Sequence, residues 1–157
     1  MEIDRTDRRI LEIIQKQGRI SNLELAEAIG LSATPCARRI KRLEDDGVIT
    51  SHVTLLDPDK LDLKLTAILG ITMDKHTPER FENFDRNIST FPEVLECNVV
   101  TGQASDYLLK VIVPDMKYYE EFLLGRLTRI DGVTGVHSSF VLRKVFNKTA
   151  LPLGHTC

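Results

Sequence analysis

The sequence predicts an α+β protein made of a helical N-terminal part and a C-terminal part of alternating strands and helices. The first observation is that apolar residues recur at helical spacing before residue 46, in segments divided by Gly18 and Gly30. The second is the order strand, helix, strand, strand, helix, strand between residues 65 and 145. A chain of 157 residues is long enough for one ordinary domain or two small ones.

The amino-acid composition excludes several classes of protein. The 42% hydrophobic and 28% charged residues are near the globular average, which excludes a disordered chain and a fibre. No apolar run approaches the length that crosses a bilayer, and the charged start lacks the apolar core of a secretory signal, so we expect a cytoplasmic protein. Cys36, Cys97 and Cys157 are too few and scattered for a disulfide scaffold, and no CxxC or CxxH pair indicates a metal site.

The first two predicted helices have recognisable starts. Asp4 is placed to cap the first helix, which we expect to end at Gly18. Ser21 and Glu24 form a capping-box pattern at the start of the second, in which each side chain satisfies a free backbone amide of the other residue. Gly30 then ends this helix after about two and a half turns.

A third helix is predicted over residues 33–45, with Ser32 as its cap. Cys36, Ile40 and Leu43 have the spacing of a buried stripe, which leaves a cluster of basic residues on the other faces. Two short helices joined by a tight turn with glycine, the second of them basic, are typical of a helix-turn-helix. The alternative is a plain three-helix bundle with a solvated basic face.

The third helix has the properties that entry into the DNA major groove requires. The groove admits one helix whose first turn reaches base edges, while arginine and lysine side chains neutralise phosphates. Small residues at the helix start permit close approach, Arg38 and Arg39 could reach bases or backbone, and Lys41 and Arg42 are better phosphate candidates. The candidate DNA-binding residues are Ser32, Ala33, Thr34, Pro35, Arg38, Arg39, Lys41 and Arg42. Although the net charge of −2 argues weakly against a nucleic-acid partner, these basic residues are concentrated in one place.

Between the two parts, Val48, Ile49, Val53, Leu55 and Leu56 predict a short strand or wing that leads into a connector. We therefore place the first domain, with its strand linker, at residues 1–60. The second domain is placed at residues 61–146, and residues 147–157 form a C-terminal tail whose role the sequence leaves open.

The second domain has the pattern of a duplicated βαβ unit. Strands are predicted over 65–73, 94–100, 107–113 and 136–145, and helices from Pro78 onward and over 116–130. The segment around Val94 resembles the segment around Val133, 39 positions later. Such a split βαβ unit forms a four-stranded antiparallel sheet with both helices on one face. The other face also carries apolar residues, so we expect a second subunit to cover it.

These residues resemble the Lrp/AsnC family of transcription regulators, also called leucine-responsive or feast/famine regulators. The matching N-terminal segments are DRTDRRIL at 4–11, GRISN at 18–22, SATPC at 32–36, RRIKRLE at 38–44 and GVI at 47–49. The C-terminal ones are PEV at 92–94, VTG at 100–102 and DYLL at 106–109. The resemblance covers about residues 3 to 145, and its motifs are specific in combination.

The resemblance implies an N-terminal winged helix-turn-helix, a strand linker and a ferredoxin-like βαββαβ sandwich that dimerises through its sheet and often assembles into octamers. It also implies an effector, commonly an amino acid such as leucine or methionine, bound between the sandwich domains of adjacent dimers. No metal and no further cofactor are expected. The effector-binding residues that the resemblance implies are Thr101, Gly102, Gln103, Ala104, Ser105, Asp106, Tyr107, Leu108, Met116, Phe140, Val141 and Leu142.

The chemistry of the loop at residues 101–106 suits such a ligand. A free amino acid needs a carboxylate for its ammonium group, backbone amides for its carboxylate and an apolar space for its side chain. Asp106 could supply the first and the loop at Gly102 the second. The alternative is that both residues only make a turn between two strands. The chain has three residues between Gly102 and Asp106 where the family often has two, so we expect a loop of different shape.

These observations favour a DNA-binding regulator, at least dimeric, with a pseudo-palindromic site. An amino-acid-sensing adaptor without DNA binding and a small ferredoxin-like metabolic enzyme are the alternatives. The sequence gives the enzyme little support, because its histidines are scattered and no nucleophilic constellation or phosphate-binding glycine loop is present. Its four histidines are His52, His76, His137 and His155.

Overall fold

A computed structural model of the chain describes residues 2–102 and 104–155. It divides into two compact units. The helical unit consists of the residues before Asp57 together with those after Lys144, and the sheet unit is Asp57–Lys144. No helix among the described residues combines the length and the apolar character needed to span a membrane.

The helical unit contains α1 (Arg5–Ile14), α2 (Asn22–Ile29) and α3 (Ala33–Asp45). The predicted caps of α1 and α2 are confirmed: Asp4 forms a capping box with Asp7, and Ser21 forms one with Glu24. Gly30 ends α2 in the left-handed conformation with φ of 74°, which favours glycine.

Two expectations for these helices need correction. α1 ends at Ile14 rather than at Gly18, because the chain leaves the helical path at the cap residue Gln15 and continues in turns. Ser32 occupies the cap position of α3, but within the described chain its side chain makes no capping hydrogen bond. Its hydroxyl therefore stays on the exposed start of α3.

The core of the helical unit explains the predicted stripe of α3. Cys36 and Leu43 are completely buried, as predicted, and Ile40 packs against the same core. Burial raises the pKa of the Cys36 thiol, so this side chain is an apolar core residue and not a reactive thiolate. The buried members of this core are Ile10, Leu11, Leu25, Ala26, Ile29, Cys36 and Leu43.

The strand expected after α3 is wrong for the single chain. Residues 50–57 have no regular structure, and Val53, Leu55 and Leu56 are each at least 69% exposed. A strand needs a neighbour for its backbone groups, and this segment has none among the described residues of one chain.

The sheet unit has the predicted βαββαβ order: β1 (Leu65–Met73), α4 (Pro78–Ile88), β2 (Val94–Val99), β3 (Tyr107–Val113), α5 (Met116–Gly125) and β4 (Val133–Phe140). The strands form one antiparallel sheet in the order β2-β3-β1-β4, so the ferredoxin-like prediction is confirmed.

Two predicted boundaries in the sheet unit are wrong. α5 ends at Gly125 and is followed by a short 3₁₀ turn over Leu127–Arg129, whereas we expected one helix to residue 130. β4 spans Val133–Phe140 and not 136–145, because its partner β1 pairs with it only from Ala67 to Met73. Apolar residues after Phe140 extend beyond this pairing and so were misread as strand.

The alternation along β1 and β3 separates two faces. One face packs under both helices, and its buried strand residues are Ala67, Leu69, Ile71, Met73, Tyr107, Leu109, Val111 and Val113. The outer face carries the intervening residues, of which Gly70 pairs with Leu108 on one side and His137 on the other.

Candidate functional site

α3 presents a start of small residues to its surroundings. Ser32 and Thr34 are exposed, while Ala33 and Pro35 are partly buried. The side-chain amide of Asn22 donates to the Ala33 carbonyl at 2.9 Å and so fixes the start of α3 against the start of α2. Within the described residues, the first turn of α3 is therefore held by this hydrogen bond from Asn22 and not by a capping bond from Ser32.

Among the basic residues of α3, Arg38 and Lys41 form no ion pair with the acids of α1 or its cap within the described residues. Both are exposed. Lys41 pairs with Asp45 at 3.1 Å, but both side chains are more than half exposed, so this pair is weak. Neither residue is held by a buried partner in the described part of the chain.

Arg39 and Arg42 are in a different position, because both contact the carboxylate of Asp7. Arg39 lies 2.7 Å from Asp7 Oδ1 and 2.6 Å from Asp4 Oδ2, and Arg42 lies 2.5 Å from Asp7 Oδ2. Asp7 is completely buried, and these two guanidinium groups are its ion-pair partners. The arrangement joins the start of α1 to the middle of α3 through charge-assisted hydrogen bonds.

The ion pairs also influence titration. The backbone amide of Asp7 and the guanidinium of Arg39 hold the pKa of the Asp4 carboxyl below its ordinary value. Hydrogen bonds to Asp4 and Asp7 raise the pKa of Arg39. The sequence predicted that Arg39 could reach bases or backbone and that Arg42 is a phosphate candidate. In the structure both guanidinium groups also contact acids of α1 and its cap.

In the sheet unit, the loop at residues 101–106 folds back onto the end of β1. The Asp106 amide donates to the Ile71 carbonyl at 2.7 Å, and the Val100 amide donates to the Asp106 carbonyl at 3.0 Å. Gly102 adopts a φ of 78°, which favours glycine. Gln103, one of the predicted effector residues, lies outside the described residues.

Asp106 is already engaged by the protein. Its Oδ2 accepts a hydrogen bond from the Met73 amide at 2.7 Å, and its Oδ1 lies 2.7 Å from Nε2 of His76. The His76 ring stacks on Phe81 with centroids 6.1 Å apart. The carboxylate thus fixes the loop to the end of β1, and only 20% of its side-chain surface is exposed.

Ser105 lies over Gly70 on the outer face of the sheet. A Cβ atom at position 70 would overlap the Ser105 hydroxyl oxygen and lie 3.1 Å from Ser105 Cβ. Any side chain at position 70 would displace this part of the loop. Glycine inside an apolar strand indicates such a close approach, and this was the available sequence signal for Gly70.

Tyr107 and Phe140 lie on the helical face of the sheet. Tyr107 is buried, its hydroxyl donates to Asp85 Oδ1 at 2.8 Å, and its ring lies 4.4 Å from that of Phe84. The Phe140 ring lies 5.1 Å from the Tyr119 ring. Leu108, in contrast, belongs to the outer face beside Gly70.

The predicted effector residues form two groups in one chain. The loop and Leu108 lie toward the end of β1, where Asp106 binds the Met73 amide. Val141 donates to the Thr66 carbonyl at the start of β1, and Met116 follows β3 at the same end of the sheet. At about 3.3 Å per residue, these ends of β1 lie on the order of 20 Å apart.

Three residues of these sites were missed from the sequence. Asp7 was interpreted only as a favourable charge near the helix start, and its pairing with α3 has no sequence signal because the partners lie 32 and 35 positions away. His76 and His137 were interpreted as scattered surface or structural residues. Both are exposed, and the structure adds that His76 contacts Asp106 and that His137 pairs with Gly70. No group of three potential metal ligands occurs in the part of the chain that the structure describes.

A basic helix with an exposed start, carried by a three-helix unit, and a separate βαββαβ unit with a glycine-containing loop define the class of helix-turn-helix transcription regulators with a ligand-binding domain. The comparisons agree with this class. Residues 3–50 match the family model described as winged helix-turn-helix DNA-binding, and residues 66–151 match the model described as Lrp/AsnC ligand binding domain. The chain therefore belongs to the Lrp/AsnC family of transcription regulators.

Individual relatives are similar over nearly the whole chain. The leucine-responsive regulatory protein of Escherichia coli is 42% identical over 144 residues, which cover 92% of this chain and 87% of that protein. A transcriptional regulator from Neisseria meningitidis, solved as an L-methionine complex, has a TM-score of 0.93 at 39% identity and covers 97% of both chains. An AsnC-family regulator from Agrobacterium tumefaciens has a TM-score of 0.90 at 41% identity, over 96% of this chain and 97% of that chain. These domains and relatives are those of transcription regulators and not of enzymes.

Proposed function

We propose that this protein is a cytoplasmic, sequence-specific DNA-binding regulator whose DNA affinity or assembly responds to a free amino acid such as leucine or methionine. The observation that carries the proposal is the exposed, fixed start of α3 together with a loop of the ligand-binding type in the same chain. The methionine complex of the Neisseria relative and the name of the leucine-responsive relative favour an amino acid as effector.

We propose a division of labour among the basic residues of α3. Arg38 and Lys41 contact DNA together with the small residues Ser32, Ala33, Thr34 and Pro35, because they are exposed or lie at the open start of the helix. Arg39 and Arg42 mainly hold α3 in position, since their guanidinium groups are bound to Asp7. Contacts from their remaining donors to phosphate would be secondary.

The effector site is proposed to be completed by more than one chain. The loop group and the group of Met116, Phe140, Val141 and Leu142 lie at opposite ends of β1, too far apart to hold one amino acid between them in a single chain. Chains related by symmetry can bring one end of each sheet together. We therefore propose a homodimer that can assemble further, up to an octamer, with the effector bound between chains.

We propose three segments of the chain with separate roles. Residues 1–60 form the DNA-binding domain with its linker, residues 61–146 form the effector-binding and oligomerisation domain, and residues 147–157 form the tail. The compact units, which divide at Leu56 and Lys144, support boundaries close to these.

DNase I footprinting tests the DNA-binding proposal. A two-fold dimer is expected to protect two half-sites separated by about 10 base pairs or a multiple of that spacing. Protection of a single isolated half-site at one dimer per duplex would contradict this geometry.

Two variants of Asp106 test the effector site. Asp106→Ala removes the bonds to the Met73 amide and to His76, so the response to the effector should be lost while DNA binding is retained. Asp106→Asn keeps an acceptor for the Met73 amide but removes the charge that an ammonium group requires. An unaltered response in Asp106→Ala would make Asp106 a turn residue only, and a normal response in Asp106→Asn would exclude it as the ammonium partner.

A further inference from the structure

After the sheet unit, the end of the chain returns to the helical unit and contacts it. Neither the proposed DNA-binding site nor the proposed effector site uses this contact. Residues 149–153, which we call the strap, lie beside the end of α1 and the segment 48–52 that follows α3. The strap and the rest of the helical unit line an open cleft of about 300 Å³. Its lining residues are Leu11, Ile14, Gln15, Val48, Ile49, Thr50, Ser51, His52, Thr149, Leu151 and Leu153.

Gln15 attaches the strap through two hydrogen bonds to one residue. Its Nε2 donates to the Leu151 carbonyl at 3.0 Å, and its Oε1 accepts from the Leu151 amide at 2.8 Å. A carboxamide side chain can satisfy both backbone groups of one residue because it carries a donor and an acceptor. The Leu151 side chain itself is 69% exposed, so the backbone makes the attachment at this residue.

Leu153 adds an apolar contact to this attachment. It is partly buried and packs against the same core as Ile14 and Ile49. The strap is therefore held at two successive points, by paired hydrogen bonds at Leu151 and by apolar packing at Leu153. None of the residues that line the cleft belongs to α3, so the docked strap leaves α3 uncovered.

We propose that the strap positions part of the DNA-binding unit. It holds the segment 48–52 against α1 and thereby fixes the chain where it leaves α3. Both chain connections of the sheet unit, at Leu56 and at Val145, then lead into the helical unit. Loss of the strap should loosen the segment 48–52 and weaken DNA binding. The effect on DNA rests on the proposed function, whereas the docking itself does not.

Hydrogen–deuterium exchange of the full chain tests the docking. We compare the wild type with Gln15→Ala and with the matched control Gln17→Ala, whose side chain is exposed and makes no hydrogen bond within the described residues. Loss of the two hydrogen bonds to Leu151, at their typical net strength, should shift the docking equilibrium roughly 30-fold toward the released strap. Peptides over 148–155 and 48–52 should exchange slowly in the wild type and in Gln17→Ala, and faster in Gln15→Ala by up to this factor.

A second variant, Leu153→Asp, separates the strap from any local effect on α1. It leaves Gln15 intact but places a charge in the apolar contact, so it should release the same two peptides. Rapid exchange of 148–155 in the wild type, or unchanged exchange of 48–52 in both Gln15→Ala and Leu153→Asp, would overturn the proposal. Circular dichroism confirms that each variant keeps its helices.

Mixing the two variants shows whether the strap docks in the cleft of its own chain or in the cleft of another chain. If each strap docks on its own chain, a mixture of Gln15→Ala and Leu153→Asp contains no intact pair and stays unprotected. Recovered protection in the mixture would overturn docking within one chain, because it requires the intact strap of one chain on the intact groove of another.

DNA affinity of the same samples tests the positioning role. Gln15→Ala and Leu153→Asp should bind DNA several-fold more weakly than the wild type, and Gln17→Ala should bind equally well. A released strap with unchanged DNA affinity would overturn the positioning role. If no sample binds any duplex at low salt while the exchange pattern is as expected, the proposed function fails and the docking stands.

Discussion

The buried carboxylate of Asp7 should be a main determinant of the stability of the helical unit. It accepts hydrogen bonds from Arg39 at 2.7 Å, from Arg42 at 2.5 Å and from the Asp4 amide at 3.2 Å. Asp7→Asn keeps one hydrogen-bond acceptor but removes the negative charge. The guanidinium groups of Arg39 and Arg42 then lie close together without the carboxylate that both of them contact. The variant therefore tests whether the ion pairs fix α3 against α1.

The magnitude follows from burial. Breaking a fully buried ion pair costs about 3 to 5 kcal/mol. The Arg39 and Arg42 side chains are 29% and 46% exposed, so water compensates part of the loss. We expect Asp7→Asn to lower the free energy of unfolding of the helical unit by about 2 to 3 kcal/mol.

The matched control is Asp45→Asn, which makes the same chemical change in an ion pair with Lys41 on the same helix. That pair is exposed, so its loss should change stability by less than about 0.5 kcal/mol. Urea denaturation followed by the circular dichroism of the full chain measures both variants. If Asp7→Asn and Asp45→Asn had equal effects, Asp7 would not hold α3 in place.

Three further predictions concern DNA, pH and the effector loop. Arg38→Ala should weaken DNA binding by about 1 to 3 kcal/mol in an anisotropy titration without changing the melting temperature, whereas Arg39→Ala should lower the melting temperature; the reverse pattern would exchange their roles. Burial opposes ionisation of Glu93, but hydrogen bonds from Arg126 and Tyr118 outweigh it and lower the pKa of this carboxyl below 4.5. Its stabilising contribution is therefore complete above pH 4.5 and lost as the pH falls through the lowered value, and Glu93→Gln should flatten the loss of stability in acid denaturation below pH 4.5. A Glu93→Gln profile parallel to the wild type would argue against this assignment. Gly70→Ala should displace the loop at Ser105 and weaken the effector response while DNA binding persists, and a wild-type response would show that the loop tolerates the displacement.

The fold was predictable where local patterns and tertiary packing agree. The cap at Asp4, the capping box at Ser21, the apolar stripe of α3 and the bounds of β1 and β3 all follow from the sequence. Boundaries failed where apolar residues lie beyond their backbone partners among the described residues, as in the segment after Val141. Strand propensity alone does not order a segment when nothing accepts its backbone hydrogen bonds.

The candidate sites were less predictable, because their geometry depends on contacts between distant residues. The sequence indicates the basic helix but does not distinguish Arg38 from Arg39, since only the fold brings Asp7 within 2.7 Å of Arg39. It found Asp106 but not His76, 30 positions away, which contacts the same carboxylate. The family resemblance supplied the list of effector residues, and the sheet register separated that list into two groups.

The central claim is that α3 binds DNA under the control of an amino acid. The most direct measurement is the fluorescence anisotropy of a labelled duplex from upstream of the protein's own gene, at two salt concentrations, with and without a mixture of the twenty amino acids. The account predicts tight binding that salt weakens and that the mixture alters. Absence of binding to this duplex and to random duplexes at low salt would contradict the account.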